Sequence, residues 1–364
     1  MDRFSRKKAG IVAATGASAL CMLGIVLFGM AGGAQSGPPQ KDMAVDKATR
    51  NEAIEAVIAN LDKYYVFPEK GAALGGQLRA KMQHGDYEGV TSAEKLAETL
   101  TEDLQQASHD KHLEVRYFEK TVAEPSAKQD ADDKAEELVD QQRFNFGFEG
   151  VDRLRGDIGY IDMHLFARPQ GAAERIAAAM TLLGGTRALI IDLRQCGGGD
   201  PETVMLFSSY LFDRRTHLND IYWRDENRTE ERWTTDTVSG KRYGSARKVY
   251  LLTSRDTFSG CEDFAYALKN ARRATLVGET TGGGAHAGAP RRLGAHFMMF
   301  VPSGRPINPV THTDWEDVGV TPDIKASAKN ALDVAQIAVL KNLIATETDP
   351  EWKRKIQHRL DDLQ

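Results

Sequence analysis

The chain has 364 residues, 41% hydrophobic and 27% charged, with a formal net charge of -5 and a pI near 6.0. This is an ordinary globular composition, long enough for one large domain and a smaller one. Basic residues are spread out beyond the extreme N-terminus, so the electrostatic footprint of a nucleic-acid binder is missing and nucleic acid is not an expected partner.

Arg3, Arg6, Lys7 and Lys8 precede an uncharged run, 9–34, rich in Ala, Gly, Leu, Ile and Val. A cationic flank before an apolar stretch is the pattern of a secretory signal, and Gly32, Gly33 and Ala34 offer small residues for cleavage. The run is longer than a typical signal core, so an uncleaved anchor with its basic end in the cytoplasm is the alternative. Either way, 1–34 predicts an extracytoplasmic protein, periplasmic or secreted, with membrane association in the anchored form. Beyond Cys21 only Cys196 and Cys261 remain, which is no disulfide framework. They could pair in an oxidising compartment, but two small buried thiols is the expected state.

A polar linker, 35–47, follows. Residues 51–64 place Ile54, Val57, Ile58 and Leu61 on one helical face; 74–82 and 93–106 repeat the pattern, with Thr91 or Ser92 as a cap. A small helical domain, 48–118, is expected. It closes with SHDKHLEVRYF, where Leu113, Val115 and Tyr117 alternate as in a strand. The stretch 119–145 is charged and core-poor, a linker that forms a loop or a solvated helix.

From Gly156 strands and helices alternate: strand 158–163, helix 172–183, strand 188–193, helix 202–212, strand 248–252, a helix after Ser259, strand 274–278 and a final strand pair around 297–301. This alternation predicts an α/β layer with mainly parallel pairing across 146–330. The segment 217–243 reads as an excursion from that layer, and 331–364 as two helices.

Three strand ends carry candidate chemistry. IIDLRQCGGGDPE, 190–202, runs from a buried strand into Gly197, Gly198 and Gly199. Glycines there free backbone N–H groups to face a ligand as an anion nest or an oxyanion hole; a plain tight turn is the alternative. Asp200 and Pro201 stand where a phosphate-binding loop would carry its lysine and hydroxyl. Ser259 falls where a strand turns into a helix, beside the helix dipole's positive end. It fits a nucleophile, and with Glu262 three residues on it fits a capping box equally well. GETTGGGAHAG, 278–288, is a second glycine loop and holds His286. Strand ends of a parallel layer share an edge, so these segments can converge. His109 and His112 have no cysteine or further histidine nearby and Lys111 between them, so no metal is expected. His112 has the intrinsic pKa of a general base.

DLRQCGGG, TFSGCEDFAYALK, GETTGGG and WEDVGVTPDI, with SHDKHLEV upstream, resemble the tail-specific (C-terminal processing) serine peptidase family, in the branch that includes interphotoreceptor retinoid-binding protein. The likeness spans 53–324. It implies a crotonase-like α/β spiral of ββα units with an N-terminal helical domain, export, and peptide-bond hydrolysis through an acyl-enzyme without a cofactor. By resemblance Ser259 is the nucleophile, and Gly198 or Gly199 with Gly260 supplies the oxyanion donors. The lysine-dependent branch reads GK where this chain has Gly282 and Gly283, so its lysine base is missing. Lys269 lies about ten residues along the helix, roughly 15 Å away by helical rise. The lysine-less, tricorn-type relatives imply His112 as base and Glu316 as its orienting acid, with His286 in reserve; the serine beside that histidine is Lys111 here. No PDZ module fits between 118 and 156.

The expectation is therefore an exported serine peptidase acting on peptides or protein tails. The alternative is a non-catalytic module that binds a retinoid or lipid in the same cleft.

Overall fold

Three amphipathic helices open the computed structural model, which describes residues 40–124 and 126–364; the expected targeting segment, 1–34, lies outside the described residues. Asp46 caps α1 (Lys47–Tyr64) by accepting from the Thr49 N–H at 2.8 Å. Pro68 opens α2 (Pro68–His84), where its missing N–H costs nothing, and Gly85 at φ 90° ends it. Ser92 caps α3 (Ala93–Ser108) through the Lys95 N–H at 3.0 Å. The buried faces are the expected ones, with Ile54, Val57, Ile58 and Leu61 at 0% exposure.

After β1 (Glu114–Tyr117) the charged stretch forms a helix, α4 (Ala127–Arg143). Gln141 Oε1 accepts from the Arg168 N–H at 3.1 Å and Glu137 pairs with the Arg168 guanidinium at 2.8 Å, so this helix is docked by polar contacts.

The chain then runs β2 (Phe148–Leu154), β3 (Ile158–Met163), α5 (Pro169–Leu183), β4 (Ala188–Asp192), α6 (Pro201–Leu211), β5 (Asp220–Trp223), β6 (Arg228–Glu230), β7 (Lys248–Thr253), α7 (Gly260–Asn270), β8 (Ala274–Gly278), β9 (Ala287–Arg292), β10 (Phe297–Ile307), β11 (Ile324–Lys325), α8 (Ala331–Thr346) and α9 (Pro350–Asp361). One sheet has the order β11-β8-β7-β4-β3-β2 and is parallel except for the β2–β3 pair. Every residue of β4 is buried, as a strand covered on both faces requires. Leu189, Ile191, Leu251 and Leu276 pack against α5, α6 and α7. Ile190, Tyr250, Leu252 and Val277 pack against α8 and α9. Each such side chain contributes about 1.5–3 kcal/mol of burial.

A second, wholly antiparallel sheet, β1-β10-β5-β6 with β9 also on β10, takes in the β5–β6 hairpin of segment 217–243 and the long β10. Val115, Tyr117, Phe297, Met299 and Val301 from this sheet share one core with the helices α1 to α3. The expected excursion is thus part of a layer, and the helical region is built onto it.

The parallel register aligns Asp192 with Leu252 and Thr253 with Gly278. Segments 193–199, 254–259 and 279–286 therefore leave the sheet along one edge.

Candidate active site

Ser259 lies between β7 and α7 with φ 51° and ψ -121°, a conformation costly for any residue with a Cβ, by about 1–3 kcal/mol. Neighbouring bonds hold the turn. The Ser259 N–H donates to Glu262 Oε2 at 2.9 Å, the Phe258 N–H to the Cys196 carbonyl at 3.0 Å, and the Gly282 N–H to the Thr257 carbonyl at 2.9 Å. Both readings of this serine meet here, because the Ser259 N–H bond to Glu262 Oε2 is also the reciprocal half of a capping box. The Glu262 N–H donates to the Ser259 carbonyl, and Ser259 Oγ lies 3.2 Å from His112 Nε2.

The glycine loop abuts the serine. Gly198 and Gly199 have φ of 131° and 130°, backbone that favours glycine. A Cβ on Gly198 would lie 2.9 Å from Ser259 Cβ, and one on Gly199 would lie 2.1 Å from the Phe166 carbonyl oxygen. Phe166 grips this loop, donating its N–H to the Gly198 carbonyl at 2.8 Å and accepting from Asp200 at 2.6 Å. The Gly198 N–H is spent on Cys261 Sγ at 3.0 Å. Among the described residues the Gly199 and Gly260 N–H groups have no acceptor, and the Gly199 nitrogen is 3.0 Å from where a Gly260 Cβ would stand.

Two free thiols were expected, and this is corrected: Cys196 and Cys261 form a disulfide, with Cα atoms 5.9 Å apart and both residues fully buried. A separation of 65 residues hides the pairing in the sequence; it arises because β4 and β7 are neighbours whose ends share one edge.

His112 stands on the turn between α3 and β1, its ring centroid 4.7 Å from that of Phe258 and 5.7 Å from that of Phe300. Burial pushes its pKa down to about 4; the Asp110 charge opposes this and the His286 charge adds to it. Nδ1 of His112 lies 3.8 Å from Asp110 Oδ1 and makes no hydrogen bond. Asp110 is 1% exposed. It accepts from the His112 N–H at 3.0 Å, from Tyr65 Oη at 3.2 Å, and bonds His286 Nδ1 at 2.7 Å.

Glu316 comes close to His112 without bonding it. Its Oε2 accepts from the Ala285 N–H at 2.5 Å and the His286 N–H at 3.3 Å, and no hydrogen bond joins it to His112. Burial, with the Asp110 charge, pushes the Glu316 carboxyl up to about 8 against the pull of His286. Asp110, His112 and Glu316 offer ligand atoms within 4.8 Å of one another, the one set among the described residues with the makings of a metal site. Asp110 and His112 are already engaged by His286 and Ser259. His109 caps α3 with an exposed side and takes no part.

Residues 157–326 match the model of peptidase family S41, and 44–145 match the N-terminal domain of peptidase S41 in eukaryotic IRBP. The chain belongs to the tail-specific S41 peptidase family. A curated relative, carboxyl-terminal-processing peptidase 2, chloroplastic, of Arabidopsis thaliana, is 29% identical over 167 residues; the match covers 46% of this chain and 31% of that protein. Among solved structures, mature CPAF aligns with a TM-score of 0.54 at 12% identity, covering 82% of this chain and 98% of that one. A lipoprotein from Streptococcus agalactiae gives 0.54 at 13%, covering 84% and 98%. These structures establish the shared α/β fold with its N-terminal helical region.

In this S41 chain the position of the lysine in GK is closed. Gly283 has φ 80°, and a Cβ there would lie 3.0 Å from the Asp317 carbonyl carbon. Lys269 turns away to the Thr321 carbonyl, while the Lys111 ammonium bonds the Gly282 carbonyl. The interval 119–156 holds α4 and β2. Sequence reasoning missed Asp110, although it stands two residues before His112 in SHDKHLEV. It also missed the second sheet, which brings α3 and its following turn over the parallel edge.

Proposed function

We propose that this chain is an exported serine peptidase that hydrolyses peptides or protein tails through an acyl-enzyme on Ser259. The observation that carries the reading is the 3.2 Å approach of His112 Nε2 to Ser259 Oγ beside two N–H groups that lack acceptors. His112, held neutral at neutral pH by its burial, takes the Ser259 proton as the oxygen attacks the scissile carbonyl. The Gly199 and Gly260 N–H groups receive the oxyanion, and the start of α7 adds its dipole. Collapse of the tetrahedral intermediate expels the amine, which takes the proton back from His112. Water then repeats the sequence on the acyl-enzyme with the same base. The carboxyl groups of Asp110 and Glu316 stand beside His112. Ala9 to Ala34, behind a basic flank, supports export.

The purified protein is treated with a fluorophosphonate probe and the adduct is located by peptide mass spectrometry. Labelling at Ser259 that disappears in Ser259→Ala and His112→Ala is the expected result. Folded protein that stays unlabelled from neutral to alkaline pH would sink the peptidase reading and favour the lipid- or retinoid-binding alternative.

A further inference from the structure

Two carboxylates stand within reach of His112, and their surroundings differ. Asp110 Oδ1 is 3.8 Å from His112 Nδ1 and already holds the His112 backbone N–H at 3.0 Å, which fixes the turn that carries the ring. Its other oxygen is bound by His286 Nδ1 at 2.7 Å and by the Tyr65 hydroxyl at 3.2 Å. Glu316 spends one oxygen on two backbone N–H groups and has no bond to His112.

We infer that Asp110, kept ionised by a protonated His286, is the carboxylate that orients His112 and stabilises its imidazolium, a role beyond the Ser259–His112 chemistry on which it rests. His286 is then a positioning residue and not a second base, and Glu316, bonded through one oxygen to the Ala285 and His286 N–H groups, borders the cluster without a bond to His112.

The charges agree with this. Burial alone would raise Asp110, but the His286 hydrogen bond and charge, with those of His112, outweigh it and hold the carboxyl low. Burial alone would lower His286, but the bond and charge of Asp110, then Glu316 and Asp314, outweigh it and raise the imidazole. The groups that face the pair are Tyr65 from the end of α1, His112 from the turn after α3, and Glu316 and Asp314 from the loop after β10. Tyr65 stays protonated, its hydroxyl raised by burial and by Asp110. The pair is bonded directly at 2.7 Å, and the Tyr65 hydroxyl and the His112 N–H satisfy the remaining Asp110 acceptor sites, which offsets the cost of burying its charges. When His112 takes the serine proton, the new positive charge forms 3.8 Å from an existing anion and needs no rearrangement.

The test compares Asp110→Asn, Glu316→Gln and His286→Gln in the full chain, reading kcat, KM and their pH profiles, or the fluorophosphonate labelling rate. Asp110→Asn should lower kcat about 10²–10⁴-fold with little change in KM and no recovery at any pH. His286→Gln removes the cation that holds Asp110 ionised, so activity lost at low pH should return as pH rises. A structural role would show no such rescue. Glu316→Gln should cost less than Asp110→Asn; the reverse order overturns the inference. Should Asp110→Asn fail to fold, ¹⁵N-histidine NMR of the wild-type protein decides. His286 protonated on both ring nitrogens and His112 neutral at pH 7 supports the pair, and a neutral His286 contradicts it. The NMR readout stands even if Ser259 proves unreactive, so failure of the peptidase reading is distinguishable.

Discussion

At Gly199 the backbone has φ 130°, and a Cβ would sit 2.1 Å from the Phe166 carbonyl oxygen. Gly199→Ala must therefore move the loop that presents an oxyanion donor. Its expected effect is a loss of about 10²–10³-fold in kcat, close to that of deleting one donor, with KM changed little. Steady-state kinetics checks it. Glu262 is the other residue on which the turn depends. It is 0% exposed, and its carboxylate accepts from Ser259, Gly283 and Gly284 N–H groups and from the Thr281 hydroxyl. Burial nevertheless pushes it from 4.5 up to about 7, against those hydrogen bonds. The folded state thus holds a proton that the unfolded chain has released, so the stability this group contributes is full below pH 4.5 and is lost as pH rises to about 7. Tm of the wild type should fall across that window relative to Glu262→Gln, in which the slope is flattened; parallel Tm curves would contradict it. Ser259 itself was readable as a helix-start serine, but not as a nucleophile rather than a cap. Which one it is depends on His112, 147 residues away in sequence.

Among the elements, β4 and β7 were legible because strands buried on both faces leave continuous apolar runs, β3 and β8 from their place in the strand–helix alternation, and α1 to α3 because their apolar faces repeat at helical spacing. The antiparallel sheet was not legible. β5 (DIYW) and β6 (RTE) are short and polar, β9 carries Pro290 with two arginines, and only part of β10 is a strong apolar run. The disulfide is another feature of this scale. It ties the end of β4 to the start of α7, and its closure of 65 residues should add about 2–4 kcal/mol to stability. Cys196→Ala with Cys261→Ala, or reduction, should lower the denaturant midpoint accordingly. It should also slow Ser259 labelling, because Gly198 is held by Cys261 Sγ. An unchanged midpoint and labelling rate would contradict this.

On the scale of the whole molecule, the site is split between regions with separate hydrophobic cores. Ser259 and the glycine loops stand on the parallel sheet, while His112 and Asp110 arrive on the helical region through β1, which pairs with β10. Phe297, Met299 and Val301 of β10 are covered by α1 to α3, so a chain starting at 146 would expose that face. Such a truncation should be poorly soluble and unreactive toward fluorophosphonate even with Ser259 intact. Soluble, labelled protein from 146–364 would contradict it. The length allowed a large domain and a smaller one, and the apolar pattern predicted the strand–helix alternation; how these parts close over one sheet edge depends on long-range pairing that no local pattern records.

The central claim is turnover at Ser259, and peptide hydrolysis by the purified protein tests it most directly. A library of unstructured peptides with free carboxyl ends is incubated with wild-type protein and with Ser259→Ala, and products are read by mass spectrometry. The account predicts cleavage by the wild type and none by a folded Ser259→Ala. Equal cleavage by both, or none by a folded wild type across neutral and alkaline pH, would contradict it.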